Sequence, residues 1–357
     1  MRIIEKAMTA AVALLTAATV AGCSVNYGEG RGPGAGTGEG FGAAVELIPA
    51  RDEVIEAMTG KKIAYIPMLY KGYMLTENWG TSLKRTLEPL GAEVAIHDPN
   101  FDNDRMLAII NDVIARKSAD VMVMQNAAQG LLDNAIERAA QAGIYTVVLN
   151  QMSTRLGDAF VGTDVMGAAE AVTERAVADC DARGATKKLT VVDGMGNDPA
   201  SLLWNAGIEK VADAHGYQVT VSHSQYDNAQ AQSAAEAAMQ QAGGNMCGFM
   251  VTFDLNAVTV GQSVQAAERR GQVRPGSIGV YTLDANAATC AELERGTVTA
   301  TAAYDVQGIG TAGAVAVQNL LIDGRPAGSG HQVGFVPYHV VDGENAGTTT
   351  IACYQSS

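Results

Sequence analysis

The chain has 357 residues and a formal net charge of −14, with 38 Asp and Glu against 24 Lys and Arg. So acidic a composition, with no basic cluster to offset it, argues against a nucleic-acid binder. The five histidines form no ligand pair at helical spacing, and there is no C-x-x-C motif and no G-x-S-x-G elbow, so no metal site, cofactor or hydrolase centre is expected.

Residues 1–22 read as a bacterial lipoprotein signal peptide. Arg2 and Lys6 give a basic start, diluted by Glu5, and residues 7–19 are apolar but too short to span a bilayer. Val20-Ala21-Gly22-Cys23 resembles a lipobox, in which Cys23 would carry the lipid. The alternative is an ordinary small-residue cleavage site with an incidental cysteine; the residues beside Cys23 and the linker behind it favour the lipobox. Removal of 1–22 takes away Arg2, Lys6 and Glu5 and changes the charge from −14 to −15. Residues 27–42 are mostly Gly with Ala, Glu and Thr and have almost nothing to bury, so 23–60 is read as a Gly-rich tether. No later apolar run is long enough for a transmembrane helix.

From Lys61 onward strand and helix patterns alternate. Strands are expected at 63–68, 93–96, 121–124, 145–149 and 160–161, and helices at 79–90, 102–117, 131–142 and 165–183. The clearest unit is 119–152. Val121, Met122, Val123 and Met124 form a continuous apolar run, as in a strand buried on both faces of a parallel sheet. Leu131, Leu132, Ala135, Ile136, Ala139 and Ala140 follow at helical spacing, Gly143 ends that helix, and 145–149 is a second apolar run. Each strand stops at a pair of amides, Gln125-Asn126 and Asn150-Gln151, at the sheet edge where open α/β folds bind ligands.

At Leu189 the alternation restarts. Strands fall at 189–192, 218–222, 248–251, 278–282 and 298–302, with helices at 199–215, 228–242, 256–270 and 285–295. Pro199 suits a first helical position, with Asp198 as cap. A helix at 307–322 and one last strand at 333–341 close the chain. Two runs of about five strands predict two doubly wound α/β domains with parallel sheets. Gly194-Met195-Gly196 lies between a strand and a helix as in a dinucleotide fingerprint, but the third glycine is missing and Asp198 would repel phosphate.

This order of elements resembles the periplasmic sugar-binding proteins of the ribose/galactose type, the solute receptors of ABC importers. The resemblance covers 61 to about 341. It rests on KKIAYIPML, ENWGTSLKRTL, the unit at 119–152, AFVGTDVMGAAEAV at a first hinge crossing, GVYTLDANAATCAELERGTVTATAAYDVQGIGTAGA, and HQVGFVPYHVVDGEN as the return strand. It implies two doubly wound lobes joined by a three-crossing hinge, the type I periplasmic-binding arrangement. The N-terminal lobe would be 61–163 plus 306–338, and the C-terminal lobe 164–305 plus 339–357, with the ligand between them and the hinge closing over it.

Carried over position by position, the resemblance places Trp79 where the family stacks a ring on the sugar, and Gln125, Asn126, Asn150 and Gln151 on ligand-facing strand ends. The family commonly has Asp-Arg where this chain has Asn150-Gln151. Trp204 falls near a position often held by arginine. Phe253-Asp254, Asp284 and Tyr304-Asp305 match strand ends of the C-terminal lobe. With Tyr70, Tyr73, Asn197 and Asp198 from the adjoining loops, these are the candidate ligand residues.

The residue types point the same way without any family. Carboxylates and amides satisfy sugar hydroxyls, aromatic rings cover C–H faces, and no Arg or His stands at these positions to meet an anion; Lys71 and Arg155 are the only basic residues close by. Each Asp has a second reading as a helix cap or turn residue. Trp204 has a second reading as the core residue of its helix, with Leu203 and Ile208 nearby.

The expectation is a monomeric, exported, lipid-anchored receptor for a neutral sugar or polyol, delivering it to an ABC importer permease. The alternatives are a receptor presenting its ligand to a sensor kinase or chemoreceptor, and an enzyme on the same fold, for which no nucleophile or base constellation is visible.

Four cysteines remain after Cys23. An exported location permits disulfides. By the boundaries above, Cys180, Cys247, Cys290 and Cys353 all fall in the C-terminal lobe or its tail. In a doubly wound sheet Cys180 and Cys247 would lie at one edge, away from the ligand. Cys180–Cys247 with Cys290–Cys353 is therefore the expected pairing, among three possible connectivities and against four free thiols.

Overall fold

The computed structural model describes residues 42–348 together with Ile351, Cys353 and Tyr354. The signal peptide, Cys23 and the tether as far as residue 41 lie outside the described residues. From Gly42 the chain is helical rather than a tether: α1 (Gly42–Met58) carries Val54 and Met58 onto the core of the first lobe. Pro49 lies within it.

The first lobe is a six-stranded sheet. Its strands are β1 (Lys62–Ile66), β2 (Glu93–Ile96), β3 (Val121–Gln125), β4 (Tyr145–Leu149) and β5 (Ala159–Thr163), with β11 (Gln332–Val336) returning from the far end of the chain. The order is β11-β5-β4-β3-β1-β2, parallel throughout. All five residues of β3 and of β5 are buried, as expected for apolar runs covered on both faces. Helices α2 (Met74–Leu87), α3 (Asn103–Arg116) and α4 (Asp133–Ala142) connect the strands.

The second lobe repeats the plan. Strands β6 (Lys188–Asp193), β7 (Gln218–His223), β8 (Gly248–Val251), β9 (Gly279–Leu283), β10 (Ala300–Tyr304) and β12 (Tyr338–Val341) form a sheet in the order β12-β10-β9-β8-β6-β7. Four helices connect its strands: α6 (Pro199–His215), α7 (Asn228–Ala242), α8 (Asp254–Arg269) and α9 (Ala287–Glu294). The two orders match strand for strand. The one difference is direction: β11 runs parallel to β5, whereas β12 runs antiparallel to β10.

The chain crosses between the sheets three times. It passes from β5 into α5 (Val165–Ala182), which packs on α6; from β10 into α10 (Val306–Asp323), which packs on α2; and from β11 into β12. Asp164 and Asp305 sit at the first two crossings with nearly the same backbone, φ −74°, ψ 84° and φ −75°, ψ 85°, and each caps the following helix through a side-chain oxygen. The single strand expected at 333–341 is divided by Pro337. A proline has no N–H for a ladder, and its carbonyl instead accepts from the N–H of Asp305, joining the second crossing to the third.

One difference from the sequence reading matters for the site. Helix α2 begins at Met74, five residues before Trp79. Tyr73 is its N-cap in an extended conformation, and Glu77 in its first turn accepts from the N–H of Gly72. Trp79 is therefore in the second turn rather than at the helix mouth, and it faces inward.

Candidate ligand-binding site

Between the C-terminal strand ends of the two sheets lies a cavity of about 130 Å³. An apolar cavity of about 150 Å³ holds one benzene ring, so this one has room for a single small ring or a short chain. The first lobe lines it with Met68, Tyr73, Leu75, Phe101, Gln125, Asn150 and Gln151. The second contributes Ala200, Tyr226, Thr252, Phe253, Leu283, Asp284 and Tyr304. No Lys, Arg or His is among them.

Asn150 and Asp284 occupy matching places, each directly after the fourth strand of its lobe. Both are held at positive φ, 64° and 74°. Their N–H groups reach across to the neighbouring strand, Asn150 to the carbonyl of Val161 at 2.7 Å and Asp284 to that of Ala302 at 3.1 Å. Non-glycine residues adopt this region at a cost, and such positions cluster at ligand sites.

Three polar side-chain atoms of the lining residues have no partner. Asn150 Oδ1, Gln151 Oε1 and Thr252 Oγ1 are buried without a hydrogen-bond partner. Gln125 is satisfied, accepting from the Met68 N–H at 3.2 Å. Burial, and then the neighbouring Asp254, push the Asp284 carboxyl well above the ordinary carboxylate range. Burial also raises Asp254, which lies behind Asp284 and whose Oδ2 accepts from the N–H and Nδ2 of Asn286 and from Thr289 Oγ1. The Tyr73, Tyr226 and Tyr304 hydroxyls are raised first by burial, then by nearby carboxyl groups, and stay neutral.

Two of the five aromatic rings that wall the cavity, Phe101 and Tyr226, are not among the sequence candidates. Phe101 and Tyr226 stand on the loops after β2 and β7, each the second of two successive residues at positive φ. Tyr73 packs near Phe101 and edge-on against Phe253, with centroids 6.4 Å apart in both pairs, and Phe253 meets Tyr226 at 5.6 Å. Two acids hold these loops. Asp98 accepts from the N–H groups of Tyr70, Lys71 and Asn100, which fastens the segments carrying Tyr73 and Phe101. Asp198 accepts from the Tyr226 hydroxyl at 2.9 Å.

Of the sequence candidates, Tyr73, Gln125, Asn150, Gln151, Phe253, Asp284 and Tyr304 line the cavity. The others do not. Trp79 is fully buried between α2 and α10, and its indole N–H donates to the Val306 carbonyl at 2.9 Å. Trp204 is fully buried in the core where α6 meets α5. Both are core residues rather than stacking platforms. Tyr70 turns edge-on to Tyr65. Asn126 donates to the Met152 carbonyl. Asp198 and Asp305 are helix caps, and buried Asp254 accepts from the Asn286 side-chain amide at 2.7 Å. Asn197 is exposed, but its carbonyl accepts from the Gln129 N–H at 2.9 Å, a direct bond between the lobes. Lys71 and Arg155 are exposed, and Arg155 pairs with Glu137. Cys180 is bonded to Cys247 and Cys290 to Cys353, with Cα atoms 5.7 and 5.5 Å apart.

Phe101 and Tyr226 had one usable signal, an aromatic residue in a polar loop after a strand. Thr252, Leu283 and Ala200 had none beyond lying next to a strand end or a cap.

No curated protein matches this chain. The periplasmic binding protein domain matches residues 63–326. Solved structures share the fold. An ABC transporter solute-binding protein from Burkholderia graminis, in complex with D-arabinose, is 18% identical with a TM-score of 0.71, over 83% of this chain and 99% of that one. One from Agrobacterium vitis with bound D-fucose is 16% identical with a TM-score of 0.70, over 82% and 100%. A glucose-galactose binding protein from Geobacillus stearothermophilus is 19% identical with a TM-score of 0.68, over 80% and 98%. With two parallel-sheet lobes, three crossings and a cavity at facing strand ends, the chain belongs to the periplasmic binding protein family, whose members are extracytoplasmic receptors and not enzymes.

Proposed function

We propose that this protein is the solute receptor of an ABC importer and holds one neutral monosaccharide or polyol between its lobes. The observation that carries the reading is the set of buried polar atoms without partners. Asn150 Oδ1, Gln151 Oε1 and Thr252 Oγ1 stand with Asp284 in a small aromatic-walled cavity lined by no cationic side chain. Buried polar groups left unpaired cost about 1–3 kcal/mol each, so the ligand that fits best brings several hydroxyl donors and C–H faces for the rings. An anion would lack a partner for its charge.

A thermal-shift screen tests this with D-arabinose, D-fucose, D-galactose, myo-inositol and glycerol, against D-glucuronate and choline. A neutral compound at about 100 times its dissociation constant should add about 2.7 kcal/mol of stability. Stabilisation by D-glucuronate or choline alone would overturn the reading.

The receptor is held at the membrane by lipid on Cys23, with residues 24–41 as the tether. Acyl chains contribute about 0.8 kcal/mol per buried methylene, and two or more give stable anchoring. The wild type should partition with membranes and Cys23→Ser should be released; equal release of both would rule out the lipid anchor. The expected order of events is capture, closure and delivery to a permease. The lobe domains proposed are 61–163 with 306–338 and 164–305 with 339–357.

A further inference from the structure

Asp284 is gripped from behind by a part of the chain remote in sequence. The Tyr354 hydroxyl donates to Asp284 Oδ2 at 2.8 Å, while the Ala285 N–H donates to Oδ1 at 2.7 Å. With both oxygens engaged, the carboxyl group of this cavity-lining residue is held against turning about its own axis.

Tyr354 is itself fixed on several sides. Its carbonyl accepts from the Ala287 N–H at 3.0 Å, and the N–H of its neighbour Cys353 donates to the Ala285 carbonyl at 2.7 Å. Asn286 and Tyr354 form a parallel bridge. Cys353 is bonded to Cys290, in the first turn of α9. The tail therefore lies along the turn 284–287, the turn that holds Asp284 at φ 74°. The same turn supplies Asn286, whose N–H and Nδ2 steady Asp254. The disulfide stands one residue from Tyr354 and ties the tail to this turn covalently.

We propose that Tyr354 is a positioning residue of the ligand site and that the Cys290–Cys353 bond holds it against Asp284, so that ligand affinity depends on this disulfide. The proposal rests on the reading of Asp284 as an acceptor for the bound solute. A hydroxyl on the carboxylate favours its charged form and fixes its direction before the ligand arrives. Without it Asp284 keeps the Ala285 N–H and the Tyr304 side chain but loses the hold on Oδ2 from the tail, and it is harder to ionise.

The test uses three full-length proteins: wild type, Tyr354→Phe, and Cys290→Ser/Cys353→Ser. The first readout needs no ligand. The carboxyl carbon of Asp284, assigned with Asp284→Asn, is followed by NMR against pH. Both variants should titrate at higher pH than wild type. The second is calorimetric binding of D-arabinose, D-fucose and glycerol, where both variants should bind about 5- to 10-fold more weakly, as for the loss of one ordinary hydrogen bond. A purely structural tail would lower the melting temperature and leave the Asp284 titration in place. An unchanged titration and affinity in Tyr354→Phe, with its disulfide intact, would overturn the role of Tyr354. A shift in Tyr354→Phe but none in the serine variant would overturn the role of the disulfide. If no probe binds the wild type, the neutral-solute reading fails, while the Asp284 titration still decides the proposal.

Discussion

On the proposed reading, Asp284 trades stability for binding. Its carboxyl is raised well above its unfolded value by burial and by Asp254. The folded state therefore holds the proton more tightly than the unfolded chain. Stability from this group is fully present below the unfolded pKa, about 3.9, and is lost as pH rises through the higher folded value. Asp284→Asn should thus raise the melting temperature of the unliganded protein at pH 8 by about 2–4 °C, change little at pH 4, and abolish sugar binding; a lower melting temperature at pH 8 would contradict this sign. Asp98 runs the other way. Burial opposes ionisation there, but hydrogen bonds from the N–H groups of Lys71, Asn100 and Tyr70 outweigh it and hold the carboxyl below the usual range. Its stability is present above the unfolded pKa and fades as pH falls toward the folded one. The tryptophans carry the opposite lesson. Their chemistry suggested stacking on a sugar, yet both are fully buried. Trp79→Ala should cost about 3–5 kcal/mol of stability, measurable by urea unfolding, and saturating sugar should change tryptophan emission little in the wild type. A strong quench would place an indole at the ligand after all.

Elements were far more legible than side-chain directions. The bounds of β2, β4, β8, α6 and α7 agree with the sequence reading, because each is a clean apolar or amphipathic run closed by a turn residue or cap. The strand ends followed, and with them Gln125, Asn150, Gln151, Asp284 and Tyr304. What a run of residues does not disclose is where a helix starts when no side-chain cap marks it. Tyr73 caps α2 with backbone alone, and the five missing residues turned Trp79 from cleft to core. Nor does it disclose how closely two helices approach. A Cβ on Gly310 of α10 would stand 2.8 Å from Ser82 Cβ and 2.9 Å from Trp79 Cα; on Gly207 of α6, it would stand 2.5 Å from the Met166 carbonyl oxygen of α5. The two contacts are counterparts in the two lobes. Gly207→Ala gains up to about 1 kcal/mol in helix propensity and loses about 1–3 kcal/mol to overpacking. A net fall in the urea midpoint is expected, with the affinity for sugar nearly unchanged.

At the scale of the molecule, the lobes meet across the cavity through the Gln129–Asn197 backbone bond, the Tyr73–Phe253 ring pair and Met195, which packs on the core of the first lobe. Phe253 touches Tyr73 from one lobe and Tyr226 from its own, so Phe253→Ala should weaken sugar binding more than it lowers the melting temperature, losing about 0.5–1.5 kcal/mol per ring pair. The three crossings also set an order of assembly. The first lobe begins the chain, yet it needs α10 to cover α2 and β11 to complete its sheet, and both are made only after β10 of the second lobe. A chain leaving the ribosome or a membrane pore therefore presents the first lobe half-built, with the Trp79 and Ser82 face of α2 uncovered, while the second lobe approaches completion. The lobe that starts first finishes late, and a chain cut short before Val306 leaves that surface bare for a chaperone or a protease to find.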